Sequence, residues 1–224
     1  MVEIKSFKAL RPTEEKINLV NSPPYDVISL EKAADIINKN PYSFLKVIKP
    51  ESIVMNKRTS EKELIEIASQ NLTYMIQQKI LRTDSSPCLY IYQQNKDSYS
   101  RTGIVSCLSV DDYEKGLIKK HEKIRLTTWQ GRVEHMYGVR AHTGCVLTVY
   151  KSSSQINDIL QQSMVCGNEI YNFKSDDGVE NICWKINQED IIDLLKEAFQ
   201  QIPSIYIADG HHRVAAAAEV TKRI

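Results

Sequence analysis

The sequence that decides the fold lies near the end of the chain and reads Ile202-Pro203-Ser204-Ile205-Tyr206-Ile207-Ala208-Asp209-Gly210-His211-His212-Arg213-Val214. Residues 205–207 are β-formers in a short apolar run, which predicts a buried strand. The Asp-Gly pair at 209–210 is a turn signal. The alanine-rich segment 214–220 predicts a helix, and its four small side chains predict close packing on a sheet. We therefore expect a strand, a polar turn and a helix.

The polar turn has the chemistry of an anion site. The start of a helix presents unpaired backbone N–H groups and the positive end of the helix dipole. Gly210 permits close backbone approach or a positive φ, and Arg213 offers a planar fork that matches phosphate oxygens. Asp209 suits a phosphate that arrives with Mg²⁺. His211 and His212 can donate to phosphate, bind metal or carry protons. The alternative is an ordinary Asp cap followed by solvated histidines.

Length and composition describe an ordinary globular chain. Its 224 residues suffice for one large or two small domains, and we expect a single α/β domain over residues 1–224. Hydrophobic residues make up 42% and charged residues 25%. The net charge of +1 argues against a broad contact surface for nucleic acid or anionic membrane, although a local basic patch stays open. No apolar run is long enough to cross a bilayer.

The cysteines favour a reducing compartment. They are Cys88, Cys107, Cys145, Cys166 and Cys183. The number is odd, the spacing is wide, and no C-x-x-C motif occurs, so neither a disulfide framework nor a zinc site is indicated. The N-terminal residues also lack the apolar core of a signal peptide. We expect reduced core cysteines in a cytoplasmic protein.

A proline-stiffened loop covers residues 21–29. Pro23 and Pro24 restrict the backbone, so the loop can present Tyr25 and Asp26 rigidly to a site. The alternative is that the prolines only turn the chain and that Asp26 caps a local element. The loop by itself favours this alternative.

A second polar cluster follows an apolar pair at 117–118. It contains Lys119, Lys120, His121, Glu122 and Lys123. If the cluster is functional, it faces phosphate or metal. His121 and Glu122 would then transfer protons or bind metal, and Lys123 would supply a positive point charge. The usual explanation of such a charge run is a solvated surface, and the cluster alone favours it.

Helical and strand patterns alternate along the chain. Helices are predicted at 30–39, capped by Ser29, at about 60–80, 125–140, 154–163 and 188–199, capped by Asn187. Strands are predicted at 2–7, 43–48, 88–92, 101–110, 144–150 and 179–186, with a loop at 171–177. This alternation predicts an α/β or α+β fold with a mixed sheet and flanking helices.

Four motifs in order carry a family resemblance. They are Pro23-Pro24-Tyr25-Asp26-Val27-Ile28; Asn40-Pro41-Tyr42-Ser43-Phe44-Leu45-Lys46-Val47 with Pro50-Glu51; Ile118-Lys119-Lys120-His121-Glu122-Lys123; and Ala208-Asp209-Gly210-His211-His212-Arg213. From Phe7 to its end, the sequence resembles domain-of-unknown-function family 1015. That family is similar, in fold and in its Asp-Gly-His-His-Arg turn, to the ParB and sulfiredoxin-type nucleotide-binding superfamily, which includes free serine kinases.

The resemblance implies a ParB/sulfiredoxin-like mixed sheet and a site for ATP or ADP. Carried over, the phosphates are bound by Gly210, His211, His212 and Arg213, and Asp209 binds Mg²⁺. Lys123, in the third motif, is a further candidate for phosphate binding. In serine-kinase-like members, the Asp and His of the turn assist phosphoryl transfer.

An acidic residue from an N-terminal loop acts on the substrate hydroxyl in those members. Asp26 is the candidate by position, so the implied catalytic residues are Asp26, Asp209 and His211. The further site candidates Tyr25, His121 and Glu122 belong to family motifs.

The implied function is Mg²⁺-dependent phosphotransfer from a nucleotide to a small hydroxyl compound such as serine. The alternative is a nucleotide-gated regulatory module of the ParB type, without phosphotransfer. The sequence departs from the family at Ile124, where Thr is expected, and at Val214, where an aromatic residue is common. The reactive cysteine of sulfiredoxin is absent from the turn, which argues against sulfinic-acid reduction. Because the family continues further, we expect the chain to be C-terminally incomplete.

Overall fold

The computed structural model describes residues 1–55 and 57–224. The strands are β1 (Ile4–Lys5), β2 (Leu10–Pro12), β3 (Leu81–Thr83), β4 (Leu89–Lys96), β5 (Tyr99–Val105), β6 (Cys107–Leu108), β7 (Ile118–Lys119), β8 (Leu147–Val149), β9 (Asn168–Lys174), β10 (Glu180–Ile186) and β11 (Ile205–Asp209). The α-helices are α1 (Ile17–Val20), α2 (Leu30–Lys39), α3 (Leu45–Ile48), α4 (Glu61–Gln77), α5 (Val110–Glu114), α6 (Leu126–Val139), α7 (Ser154–Cys166), α8 (Glu189–Gln200) and α9 (His211–Arg223). Short 3-10 helices cover Glu14–Lys16 and Pro50–Ile53. The predicted α+β class is confirmed.

The chain divides into two compact units, each assembled from three segments. Unit 1 contains Met1–Arg11, Thr83–Lys123 and Val146–His211, and unit 2 contains Pro12–Arg82, Ile124–Cys145 and His212–Ile224. The boundary between the units lies within the sequence that decides the fold. β11 and His211, the first residue of α9, belong to unit 1, and the rest of α9 belongs to unit 2. The single domain over residues 1–224 stays a prediction.

Four antiparallel strands of unit 1 form a sheet in the order β5-β4-β10-β9. β4 and β5 form a hairpin, and Asp97 has φ 52° in its turn, a conformation that Asp tolerates better than most residues. The strand predicted at 101–110 is divided: β5 ends at Val105, and Cys107–Leu108 is the separate strand β6, which pairs with β1. Ser109 then caps α5 by accepting the N–H of Asp112.

The predicted loop at 171–177 is wrong, because most of it is strand β9, paired antiparallel with β10. Tyr171 and Phe173 are strong β-formers that share one face of the strand. The Asp-Asp-Gly signal marks only the turn that follows, in which Gly178 has φ 83°. The polar residues between the aromatics therefore reflect an alternating strand and not a loop.

The three strands β7, β11 and β8 form a small mixed sheet of unit 1 in that order. β7 runs parallel to β11, with Ile205 opposite Ile118, and β8 runs antiparallel to β11. Ile205 and Ile207 are each 1% exposed, whereas Tyr206 between them is 51% exposed. This alternation confirms the predicted buried strand, and the parallel pairing aligns the C-terminal ends of β7 and β11.

The helices of unit 2 begin where their capping residues predict. Ser29 accepts the N–H of Lys32 at the start of α2. Ser60 and Glu63 form a reciprocal capping box at the start of α4. Local N-cap chemistry therefore sets the start of both helices.

No helix among the described residues is both long and apolar enough to cross a membrane.

The alanine-rich helix α9 packs on another helix, so the predicted packing on a sheet is wrong. Ala216 and Val220 form a buried cluster with Val133 of α6, and Trp129 and Met136 border the cluster. Small side chains allow close approach to a helix as well as to a sheet. The sequence identified the small-residue face of α9 but not its partner.

The predicted strand at 43–48 is also wrong, because Leu45–Ile48 is helix α3. Leu45, Val47 and Ile48 are all buried. A short, continuous apolar run fits a buried strand and a buried helix equally well, so periodicity could not decide between them. Ser43 accepts the N–H of Leu45 and helps to start the helical turn.

Helix α8 starts one residue later than predicted. Its N-cap is Gln188 and not Asn187. Leu194 is 44% exposed, whereas Ile192, Leu195 and Phe199 are buried and form the inward face of the helix.

All five cysteines are free, but the prediction of core positions holds only for Cys88 and Cys183. Cys107, Cys145 and Cys166 are exposed. Cys145 belongs to the segment that leads into β8, and Cys166 is the last residue of α7. The ends of elements are accessible even where the flanking sequence is apolar, which is why the apolar surroundings misled the prediction.

A buried charge network ties together distant segments of unit 1. Asp84 accepts hydrogen bonds from Arg11 Nε at 2.9 Å, Arg11 Nη2 at 3.1 Å, Lys185 Nζ at 2.9 Å and the Tyr90 hydroxyl. Burial by itself raises the pKa of Asp84, but the hydrogen bonds from Arg11, Tyr90 and Lys185 outweigh it and hold the pKa far below its usual range. The ionised carboxylate therefore stabilises the folded form.

Replacing this carboxylate by an amide should destabilise unit 1. We expect Asp84→Asn to lower the free energy of unfolding by about 3 kcal/mol at neutral pH, because two buried cations lose their counter-charge. Trp184 on β10 reports unfolding of unit 1 in a Trp129→Phe background, which removes the tryptophan of unit 2.

The matched control is Asp193→Asn, which breaks an exposed pair with Lys196 in the same unit and should cost less than about 1 kcal/mol. The depressed pKa of Asp84 adds a pH test. Its contribution is fully present above the ordinary aspartate pKa near 4 and is lost as the pH falls further. The stability difference between the wild type and Asp84→Asn should therefore shrink in acid. Equal stability of the two proteins at pH 7 would contradict the network's role.

Candidate functional site

The turn between β11 and α9 is as tight as its sequence predicts. β11 ends at Asp209 and α9 begins at His211, so Gly210 is the one residue between them. Gly210 has φ 89°, a conformation that side-chain-bearing residues rarely adopt. A Cβ atom at this position would lie 3.4 Å from Val146 Cγ2. The backbone conformation therefore favours glycine, whereas the distance to Val146 is an ordinary van der Waals contact.

The two histidine motifs meet in unit 1. His211 is 3% exposed, and its Nδ1 lies 3.5 Å from Glu122 Oε2. The ring of His121 contacts the ring of His211 edge-on, with 4.4 Å between the ring centroids and 86° between the planes. The contact follows from the parallel pairing of β7 and β11, because each motif directly follows one of these strands.

The Glu122–His211 contact restricts the state of the buried ring. A negatively charged carboxylate beside Nδ1 attracts an N–H group there, so it favours the tautomer that carries the proton on Nδ1. The same contact also fixes the orientation of the ring. His211 is thus positioned by a carboxylate, the arrangement that orients histidine in general acid–base catalysis.

Asp209 and Lys123 both belong to unit 1, and both are exposed. Asp209 is the last residue of β11, and Lys123 is the last residue of the motif at 118–123. Within the described ranges, no three His, Cys, Asp or Glu side chains group closely enough to hold a metal ion. Mg²⁺ needs no such cage, since it is usually held by one or two carboxylates together with substrate phosphates. Asp209 fits that kind of site and does not fit a preformed protein cage.

Arg213 is held in place by contacts within unit 2. Its Nη1 donates to the carbonyl oxygen of Cys145, and its Nη2 lies 3.9 Å from Asp26 Oδ2. The Arg213 side chain is 18% exposed, whereas that of Asp26 is 48% exposed. The predicted phosphate-binding arginine and the predicted acidic residue are therefore brought together, in a loose ion pair.

Tyr25 lies under two guanidinium groups of unit 2. The Cζ atom of Arg132 lies 3.9 Å from the ring centroid, and that of Arg213 lies 5.8 Å from it. Both distances are within the range of cation–π attraction. Sequence reasoning missed Arg132, because a single arginine in the predicted helix at 125–140 looks like any solvated helical charge.

His212 has a structural contact that distinguishes it from His211. Its Nε2 accepts the backbone N–H of Arg125 at 3.0 Å, and Arg125 is the N-cap residue of α6. An imidazole that accepts at Nε2 carries its proton on Nδ1, so it can donate to a ligand only from Nδ1. The predicted phosphate contact of His212 is thereby restricted to one nitrogen.

The predicted site residues are divided between the two units. Unit 1 holds His121, Glu122, Lys123, Asp209, Gly210 and His211, and unit 2 holds Tyr25, Asp26, His212 and Arg213. Within unit 1 the structure brings together His121, Glu122 and His211. Within unit 2 it brings together Tyr25, Asp26 and Arg213. All residues of the cluster at 119–123 are exposed, as the solvated-surface alternative expects, and two of them, His121 and Glu122, also contact His211.

The requirement for glycine in the turn can be tested against a glycine of unit 1 whose φ is not positive. We expect Gly210→Ala to lower the free energy of unfolding by about 1–2 kcal/mol, the cost of a left-handed conformation for a residue with a Cβ. Gly103→Ala is the control and should not destabilise unit 1, because a Cβ there would meet no atom within 4 Å. Urea unfolding followed at Trp184 in the Trp129→Phe background measures both, and an equal loss at the two positions would refute the assignment.

Comparison with curated proteins and with solved structures finds no match. The ParB/sulfiredoxin-like arrangement therefore stays a prediction. Residues 4–224 match the family described as "Protein of unknown function (DUF1015)". Because this match covers nearly the whole chain, the protein belongs to the DUF1015 family.

Proposed function

We propose that the protein binds a nucleotide and transfers a phosphoryl group, with Mg²⁺, to a small hydroxyl compound, as free serine kinases do. The observation that carries the proposal is the contact of His211 with Glu122 and His121 beyond the ends of β7 and β11. In open α/β sheets, ligands favour the region outside the carboxyl ends of parallel strands. An oriented histidine there suits a reaction that moves protons and negative charge.

The first turn of α9 supplies the groups that phosphate requires. Its backbone N–H groups and the positive end of the helix dipole attract anions. Gly210 lets an anion approach the backbone closely, since it has no side chain. Arg213 can replace its loose contact with Asp26 by a bidentate pair with phosphate, because an ion pair at 3.9 Å that includes a half-exposed carboxylate contributes at most about 1 kcal/mol.

Asp209 is the residue that would hold Mg²⁺, jointly with the phosphates of the nucleotide. When bound, the ion would neutralise the charge that develops on the transferred group. Without a counter-cation, the exposed carboxylate of Asp209 would repel a polyphosphate. This repulsion is the physical reason to expect that nucleotide binding depends on Mg²⁺.

The remaining roles follow from the contacts of each residue. His211, oriented by Glu122, would donate to the transferred phosphoryl group. Asp26 would accept the proton of the attacking hydroxyl once Arg213 pairs with phosphate. Lys123 would add a point charge to the phosphate site. Positioning and electrostatic neutralisation account for most of the catalysis in such reactions.

Turnover with a substrate panel tests the proposal. The full-length protein is incubated with ATP or ADP, Mg²⁺ and serine, threonine or homoserine, and ³¹P NMR follows phosphomonoester formation. We expect turnover that EDTA abolishes. His211→Asn should lower kcat about 100-fold or more, because a positioned acid–base group contributes roughly 10²–10⁴-fold. The control His142→Asn changes a histidine outside both clusters and should retain activity.

The outcomes separate the candidate functions. Nucleotide binding without turnover on any acceptor would replace phosphotransfer by the nucleotide-gated module. Absence of binding to either nucleotide would refute both. An equal loss of activity in the His211→Asn and His142→Asn proteins would show that the turn between β11 and α9 has no specific role in the reaction.

A further inference from the structure

We infer that Arg132 and Arg213 together form a two-guanidinium site for an anion with at least two linked phosphate groups, with the ring of Tyr25 as their shared support. The inference rests on the proposed nucleotide site and narrows its ligand to nucleoside di- and triphosphates, as opposed to monophosphates. It also adds Arg132 to the binding residues. All three residues belong to unit 2.

The ring of Tyr25 keeps two like charges near each other. The Arg132 Cζ atom lies 3.9 Å from the ring centroid and the Arg213 Cζ atom lies 5.8 Å from it. Two guanidinium groups repel each other, so a shared aromatic ring that attracts both offsets part of that cost. Pro23 and Pro24 precede the tyrosine and restrict its backbone. The loop can therefore hold the ring where both arginines reach it.

Arg132 brings a positive charge to this cluster without a carboxylate partner. Over residues 1–55 and 57–224, the structure gives Arg132 the Tyr25 ring as a contact but no hydrogen bond or ion pair with a carboxylate. A half-buried guanidinium with several N–H donors and no acidic partner is suited to an anionic ligand.

The positive charge of Arg132 also affects the pKa of His135, which lies one helical turn later on α6. Burial lowers the pKa of His135, and although its hydrogen bond with the Val47 carbonyl opposes this, the charge of Arg132 lowers the pKa further. The field of Arg132 therefore extends into the interior of unit 2. A phosphate group on Arg132 would compensate that field.

The number of guanidinium groups selects the ligand class. One guanidinium pairs with one phosphate group through two parallel N–H···O bonds. Arg213 alone therefore suffices for a monophosphate, and Arg132 has a role only where a second phosphate group follows the first. Inorganic pyrophosphate presents the same pair of groups without a nucleoside, so it serves as a separate probe.

Calorimetric titration with ADP, AMP and pyrophosphate in Mg²⁺ buffer tests the inference on the full-length protein. We expect Arg132→Ala to weaken ADP binding at least tenfold and to leave AMP binding within twofold of the wild type. Arg132→Lys should give an intermediate loss for ADP, because it keeps the charge but not the fork. The control Arg58→Ala removes an exposed arginine of the same unit and should change neither affinity.

Tyr25 gives an independent variant in case Arg132→Ala does not fold. Tyr25→Phe keeps the ring and should bind ADP like the wild type, whereas Tyr25→Leu should weaken ADP binding about as much as Arg132→Ala does. Fluorescence of Trp129 on α6 checks that unit 2 is folded in each variant.

The results also separate this inference from the proposed phosphotransfer. Equal weakening of ADP and AMP, or no weakening, in the folded Arg132→Ala protein would overturn the two-guanidinium site. If the Arg132→Ala protein binds ADP more weakly but AMP as before, and no acceptor is phosphorylated, the two-guanidinium site is supported and only the proposed phosphotransfer is refuted. Pyrophosphate that binds as tightly as ADP, with the same dependence on Arg132, would support the site and assign the affinity to the phosphates and not to the nucleoside.

Discussion

The parallel pairing of β7 with β11 is the constraint on which the candidate site depends. With Ile205 opposite Ile118 and Tyr206 opposite Lys119, the segments that follow the two strands leave the same edge of the sheet. Burial of Ile205 and Ile207 fixes this register, since a slip of one residue would turn both side chains to the exposed face. His211 and Glu122 are adjacent because of that burial. The apolar side of one short strand thus positions the polar chemistry beyond it.

Arginine has opposite roles in the two units. In unit 1, Arg11 gives two hydrogen bonds to Asp84, and Lys185 completes a closed network that holds distant segments together. In unit 2, Arg132 contacts an aromatic ring and has no acidic partner among the described residues. The two arginines therefore differ in their partners: the charge of Arg11 is neutralised by a buried carboxylate, whereas Arg132 contacts an aromatic ring.

The sequence predicted what local chemistry decides and missed what distant contacts decide. The cap at Ser29 was predicted because an N-cap depends on a few neighbouring residues. The apolar run at 45–48 was assigned to a strand, since only tertiary packing distinguishes its two possible conformations. The contact between residues 122 and 211 and the stacking of Arg132 involve segments far apart in the chain, and no local pattern encodes such distances.

The adjacent histidines of the turn are not equivalent. Neighbouring residues of a helix point about 100° apart, because the helix has 3.6 residues per turn. His211 contacts Glu122 and His121, whereas His212 accepts the backbone N–H of the residue that caps α6. The first histidine is oriented by a carboxylate, and the second anchors the start of another helix. A substitution at position 212 should therefore loosen the start of α6, whereas one at position 211 should remove the contacts with Glu122 and His121. Two adjacent residues with the same side chain thus have different partners, because the helix turns their side chains in different directions.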